Sequence, residues 1–315
     1  MRIHHLNCGS LRKIPLSGDE AASVGPAADG PGREAALVCH CLLIETPSDG
    51  LVLVDTGLGT ADRRNPDAAL GADWVAYAQP ALDPEESALR QVVRLGYAPQ
   101  DVRHIVLTHL HRDHTGGLPD FPHARVHVHP EEYRAVTDPA APHHGHSLER
   151  FMSAHRAHGP LLTPAPVPAE GAEEGDGTWF GFPGAAYPLG LERELAIVPL
   201  PGHSAGHAGV AVRGDDGRWL LHAGDAYFYH GELEQTPPAS HPVLDPVQQG
   251  AQTDAAARVA TRDRLRELRR EHPDEVTVFS AHDPWELARF LPDGGTDAAG
   301  SRGLPDTRDE RRSRR

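Results

Sequence analysis

The stretch Thr108-His109-Leu110-His111-Arg112-Asp113-His114-Thr115-Gly116-Gly117 places four imidazole or carboxylate side chains within six residues. Histidine is abundant throughout, at 22 of 315 residues, but here its spacing is that of metal ligands. His109 and His111 can project together from an extended segment, and Asp113 and His114 follow on a turn that Gly116 and Gly117 allow. Neutral imidazole with carboxylate suits zinc, iron or manganese, and the lack of cysteine in the run argues against a purely structural zinc. Pro201-Gly202-His203-Ser204, Ala223-Gly224-Asp225-Ala226 and Ser280-Ala281-His282-Asp283 repeat the theme, each opening a polar loop after an apolar run. A lone histidine at a strand end is usually just a hydrogen-bonded residue; four such ends in order are not a chance placement. Metal ions bring the pKa of bound water towards neutrality, and a pair about 3.5–4 Å apart can hold a bridging hydroxide aimed at an electrophile. No serine or cysteine nucleophile is then needed.

The apolar runs between these motifs read as the scaffold. Residues 37–44 and 51–54 predict two adjacent strands joined by a tight turn, after a short first strand and a long Gly/Ala/Pro loop over 18–34. Asp83-Pro84-Glu85-Glu86 supplies helix-start chemistry for one helix running to Gly96. Short strands are expected at 105–107, 126–128, 195–198, 209–212, 219–221 and 276–279, with a long helix from about Thr253 to Glu271. Residues 139–190 read as an insertion holding a helix near Ser147–His155 and a flexible Pro/Glu/Gly stretch from Pro164 to Gly177. One domain over 1–292 and a disordered tail over 293–315 are therefore expected, the basic end of the tail being a weaker candidate anchor for an anionic partner.

Composition narrows the class. With 30 Lys+Arg against 45 Asp+Glu the net charge is −15, which disfavours a nucleic-acid partner because such binding needs dense positive surface. No run approaches the roughly 20 apolar residues of a membrane span and the start lacks an apolar signal core, so no membrane partner and a cytoplasmic location are expected. Cys8, Cys39 and Cys41 are too few and odd in number for a disulfide framework; Cys39 and Cys41 read as buried small residues.

Together with Val54-Asp55-Thr56-Gly57, the motifs resemble those of the metallo-β-lactamase superfamily over residues 37–290. The resemblance implies an α/β fold, an αββα sandwich with a mono- or dinuclear metal site at the edge between two sheets. By position, His109, His111 and His203 would hold one metal, Asp113, His114 and His282 the second, and Asp225 would bridge them. Asp55 would be a structural aspartate off the metals, and Asp113 the candidate proton shuttle. Asp55, Thr108 and Ser204 are the local candidates to support the ligand rings. The expected cofactors are two divalent ions, zinc first, with iron or manganese as alternatives.

Within the superfamily, the single-domain layout, H-x-H-x-D-H-x-G-G, Pro201 to His207 and His282-Asp283 are most similar to N-acyl homoserine lactonases. That implies hydrolysis of a lactone or small carboxylic ester, with a homodimer left open as the assembly. The rivals are an iron-dependent sulfur dioxygenase or thioesterase in the same fold, and a non-enzymatic metal-binding sensor. One departure stands out: lactonases usually carry a tyrosine three residues after the bridging aspartate, and here that residue is Phe228, flanked by Tyr227 and Tyr229. In an extended segment both tyrosines would share the face of Asp225 and either could take that catalytic role; alternatively the three aromatics line a substrate wall. His127 and His129 read as packing or surface residues. His143, His144, His146, His155 and His158 could gate substrate, bind a further metal or form a solvated loop.

Overall fold

Alternation within the apolar runs decides which face each strand buries. The computed structural model describes residues 1–15, 34–168, 177–188, 191 and 194–291. Six strands form the first sheet in sequence order: β1 (Arg2–Pro15), β2 (Glu34–Glu45), β3 (Leu51–Val54), β4 (Val102–Val106), β5 (Arg125–Val128) and β6 (Leu161–Pro164). β1, β2 and β3 are antiparallel neighbours; β3 to β6 run parallel, with Val54 beside Val106 and Ile105 beside Val126. A small hairpin, β7 (Thr178–Trp179) and β8 (Phe182–Pro183), leads to the second sheet, β9 (Leu195–Pro199), β10 (Ala208–Arg213), β11 (Trp219–His222) and β12 (Val276–Phe279), ordered β12-β11-β10-β9.

On β3, Val52 and Val54 point between the sheets, where they meet Ile197, Val210 and Phe279. Leu51 and Leu53 point outward, into a core closed by Ala88 and Val92 on one side and by Val136 and Phe151 on the other. The outer face of the second sheet packs Ala211, Leu221 and Val278 under Leu265 and Leu268. The helices are α1 (Thr60–Arg64), α2 (Ala72–Ala78), α3 (Ala88–Arg94), α4 (Arg112–Thr115), α5 (Pro130–Thr137), α6 (His144–Arg150), α7 (Ser153–Arg156), α8 (Gly231–Glu234), α9 (Leu244–Ala251), α10 (Ala255–Glu271) and α11 (Pro284–Ala288). The result is the αββα sandwich that the resemblance implied. Among the described residues, no helix is long and apolar enough to cross a membrane.

Some expected elements differ. The first strand has 14 residues rather than a few. The helix expected from Asp83 is broken: Asp83 caps only a short turn at Pro84–Glu86, and Ser87, in extended conformation, accepts from the Arg90 amide to start α3. The Ser147–His155 helix is likewise two, α6 and α7, because Phe151 and Met152 are extended. The 139–190 segment is not wholly an excursion, since its strand β6 pairs along β5 as the sheet edge. Most of the 18–34 loop, much of the Pro164–Gly177 stretch and the 293–315 tail lie outside the described residues.

Candidate metal centre

The parallel strands β3 and β4 bring Asp55 and the His109 motif to one end of the sandwich, and β9, β11 and β12 bring His203, Asp225 and His282 to the same end. Asp225 stands at the middle. Its Oδ2 lies 3.1 Å from His203 Nε2 and 3.9 Å from His109 Nε2, while its Oδ1 lies 3.2 Å from His114 Nε2 and 3.3 Å from His282 Nε2. His111 Nδ1 is 2.9 Å from His203 Nε2, and Asp113 Oδ2 is 3.7 Å from His282 Nε2. Donor atoms within 4.8 Å of one another fall into three groups: His109, His111 and His203; His109, His114 and Asp225; and Asp113, His114 and His282. All seven expected ligands are thus brought together, with the aspartate expected to bridge lying between the two sets.

The hydrogen bonds behind the rings fix which nitrogens face inward. Asp55 Oδ1 accepts the Thr108 amide at 2.9 Å, and Oδ2 accepts the Thr108 hydroxyl and His114 Nδ1–H, both at 2.8 Å. The Thr108 hydroxyl oxygen in turn accepts His109 Nδ1–H at 3.0 Å. One buried carboxylate therefore sets the tautomer of two imidazoles. It leaves His109 Nε2 and His114 Nε2 as bare lone pairs, and these, with Asp225 Oδ1, are buried atoms with no hydrogen-bond partner. Unpaired buried acceptors converging on one place are costly unless a cation satisfies them, so the donor set fits divalent metal. His282 Nδ1–H donates to the Val38 carbonyl at 2.7 Å, and His207 Nε2 accepts the Asp225 amide at 2.9 Å. Gly224 must be glycine, because at φ +53° a Cβ there would come within 2.7 Å of His207.

Burial pushes His109, His111 and His203 well below the ordinary histidine range, so they stand neutral and able to ligate. Burial alone would raise Asp225, but His282, His114 and His203 hold its carboxyl well down. Burial also lowers His114 and His282, yet Asp225 outweighs it and raises both, so a proton and a cation compete for the Nε2 lone pairs that face this carboxylate.

Residues 35–276 match the Metallo-beta-lactamase superfamily. The chain belongs to the metallo-β-lactamase superfamily. A probable metallo-hydrolase of Mycobacterium tuberculosis is 37% identical over 301 residues, covering 92% of this chain and 83% of the relative. An N-acyl homoserine lactonase of Agrobacterium fabrum is 26% identical over 269 residues, covering 83% and 88%. An N-acyl homoserine lactone hydrolase, solved with the product N-hexanoyl-L-homoserine at its catalytic metal centre, superposes with a TM-score of 0.61 at 21% identity, over 92% of this chain and 96% of that one. That structural likeness is one of fold.

Not every expected residue reaches this metallo-β-lactamase-type centre. Tyr227 is fully buried, and its hydroxyl donates to Glu286 at 2.9 Å; Tyr229 packs against Trp285 and His241. Neither lines the cavity over the ligands, whereas Phe228 does, with its ring centroid 5.1 Å from His282 and 6.0 Å from His203. The expected extended segment is a turn, closed by the Ala226 amide on the Ala223 carbonyl, and this rotates both tyrosines away from Asp225. Ser204 supports no ligand ring; its hydroxyl goes to Glu132.

Glu132 escaped the sequence reading. It is buried and accepts the Leu110 amide, the Ser204 hydroxyl and the Gly206 amide, tying the loop of His109 and His111 to that of His203. Gly206 sits so close that a Cβ would lie 2.0 Å from the Glu132 nitrogen. His155 is also structural: buried, it bridges Asp62 and the Thr115 hydroxyl, which donates to the His111 carbonyl. His127 is buried and bonded to His104 at 2.8 Å, and His129 meets the Gly184 carbonyl. Among the described residues, His143, His144, His146 and His158 join no ligand group. Cys39 and Cys41 are buried as expected.

Proposed function

We propose that this chain is a two-metal hydrolase that opens a lactone or cleaves a small carboxylic ester, with N-acyl homoserine lactone as the first substrate to try. The observation that carries the proposal is the set of three overlapping ligand groups, with Asp225 in the one that joins the other two, beside a cavity of about 440 Å³. The name of the Agrobacterium relative supports the substrate class.

His109, His111 and His203 would hold one ion, Asp113, His114 and His282 the other, and Asp225 both. When bound, two divalent ions, zinc first and iron or manganese as alternatives, supply Lewis acidity and a water more acidic than bulk. Asp113, its side chain 16% exposed against 3% for Asp225, reaches the cavity wall and is the group placed to take the proton from the attacking water and return it to the leaving alkoxide. Water adds to the carbonyl carbon, the acyl C–O bond breaks, and carboxylate, alcohol and one proton result. Leu11, Leu37, Trp74 and Val247 offer an apolar wall for an acyl chain, and Phe228 shields the rings of His203 and His282. With Tyr227 committed to Glu286, the reaction would run without help from its phenol.

The test is acid release in a pH-stat from zinc-reconstituted protein given short- and long-chain N-acyl homoserine lactones, with His111→Ala as blank. Metal-dependent release by the parent alone is expected. No release from protein shown to hold two metals would overturn the lactonase reading. Thioester cleavage, or oxygen uptake with a thiol substrate and iron, would then favour the rival chemistry.

A further inference from the structure

Three guanidinium groups from separate parts of the chain, Arg12 on β1, Arg112 on α4 and Arg150 on α6, line the same cavity as the ligands. In a chain of net charge −15, arginines normally find carboxylates: Arg63, Arg90, Arg134, Arg258 and Arg289 each have one within 4.0 Å. Arg12, Arg112 and Arg150 have none at that range among the described residues; neutral groups hold them instead. The Arg112 guanidinium donates to the Leu70 carbonyl and sits 5.7 Å from the Trp74 ring centroid. Arg150 Nη1 donates to the Ala251 carbonyl at 2.6 Å, and Arg12 lies 5.0 Å from the Tyr77 ring centroid. Arg150 Nη1 is also 3.4 Å from His111 Nε2, on the opposite side of the ring from Nδ1, so this cation stands one imidazole width from the ligand group.

The acids on the cavity wall are Asp113 and Asp225, both claimed by the metal site; Glu149 contributes to the field at Arg112 and Arg150 from beyond ion-pair range. Cations fixed by carbonyls and aromatic faces keep their remaining donors directed to a ligand, and guanidinium donors match carboxylate or phosphate oxygens. We propose that the substrate is an ester or lactone bearing a second, anionic group within a few bonds of the scissile carbonyl, held by Arg150 and Arg112 with Arg12 at the rim. The proposal rests on the hydrolase reading and narrows it, making uncharged acyl chains the poorer substrates.

The experiment compares esters of equal carbon-chain length on the zinc-loaded full chain: monomethyl glutarate against methyl valerate, followed by proton release. A kcat/KM preference of about tenfold or more for the charged ester is expected. It should collapse in Arg112→Met/Arg150→Met and return in part in Arg112→Lys/Arg150→Lys, with metal content measured in each. If those variants do not fold, Arg12→Gln, on a half-exposed residue, should still reduce the preference. Calorimetric binding of glutarate against valerate reads the same pocket without turnover. Tighter glutarate binding that is lost in the variants and weakened by salt supports the arginine anion site even if no ester is cleaved, in which case the site stands and the hydrolase reading fails. Esters cleaved without charge preference, with glutarate bound no tighter than valerate, would overturn the proposal and leave the hydrolase reading standing. Substituting 4-phosphonobutyrate and its methyl ester tells phosphate from carboxylate as the preferred anion.

Discussion

Replacing Asp55 by asparagine tests the reasoning about the metal centre without touching a ligand. Asn is the same size and tolerates the φ of +54° that Asp55 adopts, so the backbone has no cause to move. What changes is polarity. If the side-chain oxygen keeps the Thr108 amide, the new NH2 replaces the oxygen that accepted both the Thr108 hydroxyl and His114 Nδ1–H. Two donors now face a donor, and His114 is relieved by moving its proton to Nε2, the nitrogen that must ligate. His109 loses its orientation through Thr108 by the same change. Loss of such a support costs about 10- to 100-fold in metal affinity, or about 1.4–2.7 kcal/mol. Competition against a chromophoric chelator measures it directly: the parent should bind two zinc ions per chain, and Asp55→Asn should keep the parent's circular dichroism while binding more weakly. Parent affinity in Asp55→Asn would refute the assignment of tautomer control to this carboxylate.

The remaining predictions concern residues around the centre. Tyr227→Phe should leave ester hydrolysis near parent level while costing about 1–3 kcal/mol of stability for the lost bond to buried Glu286, whereas Phe228→Ala should lower kcat/KM; a large loss of turnover in Tyr227→Phe would return a catalytic role to the phenol. Glu132→Ala leaves the Leu110 and Gly206 amides and the Ser204 hydroxyl without their acceptor, so denaturant melts should show a loss of about 3 kcal/mol or more; a loss under 1 kcal/mol, on the order of one ordinary hydrogen bond, would deny that it joins the two ligand loops. Burial and His104 hold His127 down from the usual 6.5 to about 3, so its contribution is complete above pH 6.5 and is lost as pH falls towards 3, at up to about 1.4 kcal/mol per pH unit. His127→Gln should flatten the fall in stability over that window, and an unchanged slope would place the acid sensitivity elsewhere.

The ligands were legible because each follows its own apolar strand, and a strand end is a local property of the chain. His109, His203, Asp225 and His282 could therefore be placed before any contact between them was known. The two tyrosines were misplaced for an equally local reason: period-two reasoning holds only in extended backbone, and Gly224 at φ +53° begins a turn. What could not be read are partnerships across long separations. Asp62 and His155 are 93 residues apart, Ser204 and Glu132 are 72 apart, and nothing beside either carboxylate marks its partner. Strand β6 was hidden in the same way, because four residues at a sheet edge gain their order from β5 rather than from their own pattern.

The same division separates the chemistry from its substrate. The ligands stand on strand ends that the sandwich core holds rigid, so any chain with this sheet order can present them. The cavity wall comes from other parts of the chain: Arg12 on the edge strand β1, Trp74 and Tyr77 on α2, Arg150 on α6 and Val247 on α9. These elements can change without disturbing Asp225 or the histidines, which is how one metal centre can serve many substrates. A wall with three arginines and no free acid is then the part of this structure that speaks about substrate, while the ligand set speaks only about the reaction. For that reason charge on the ester is a sharper first variable than acyl length: length tests only the apolar part of the wall, and charge tests the three arginines.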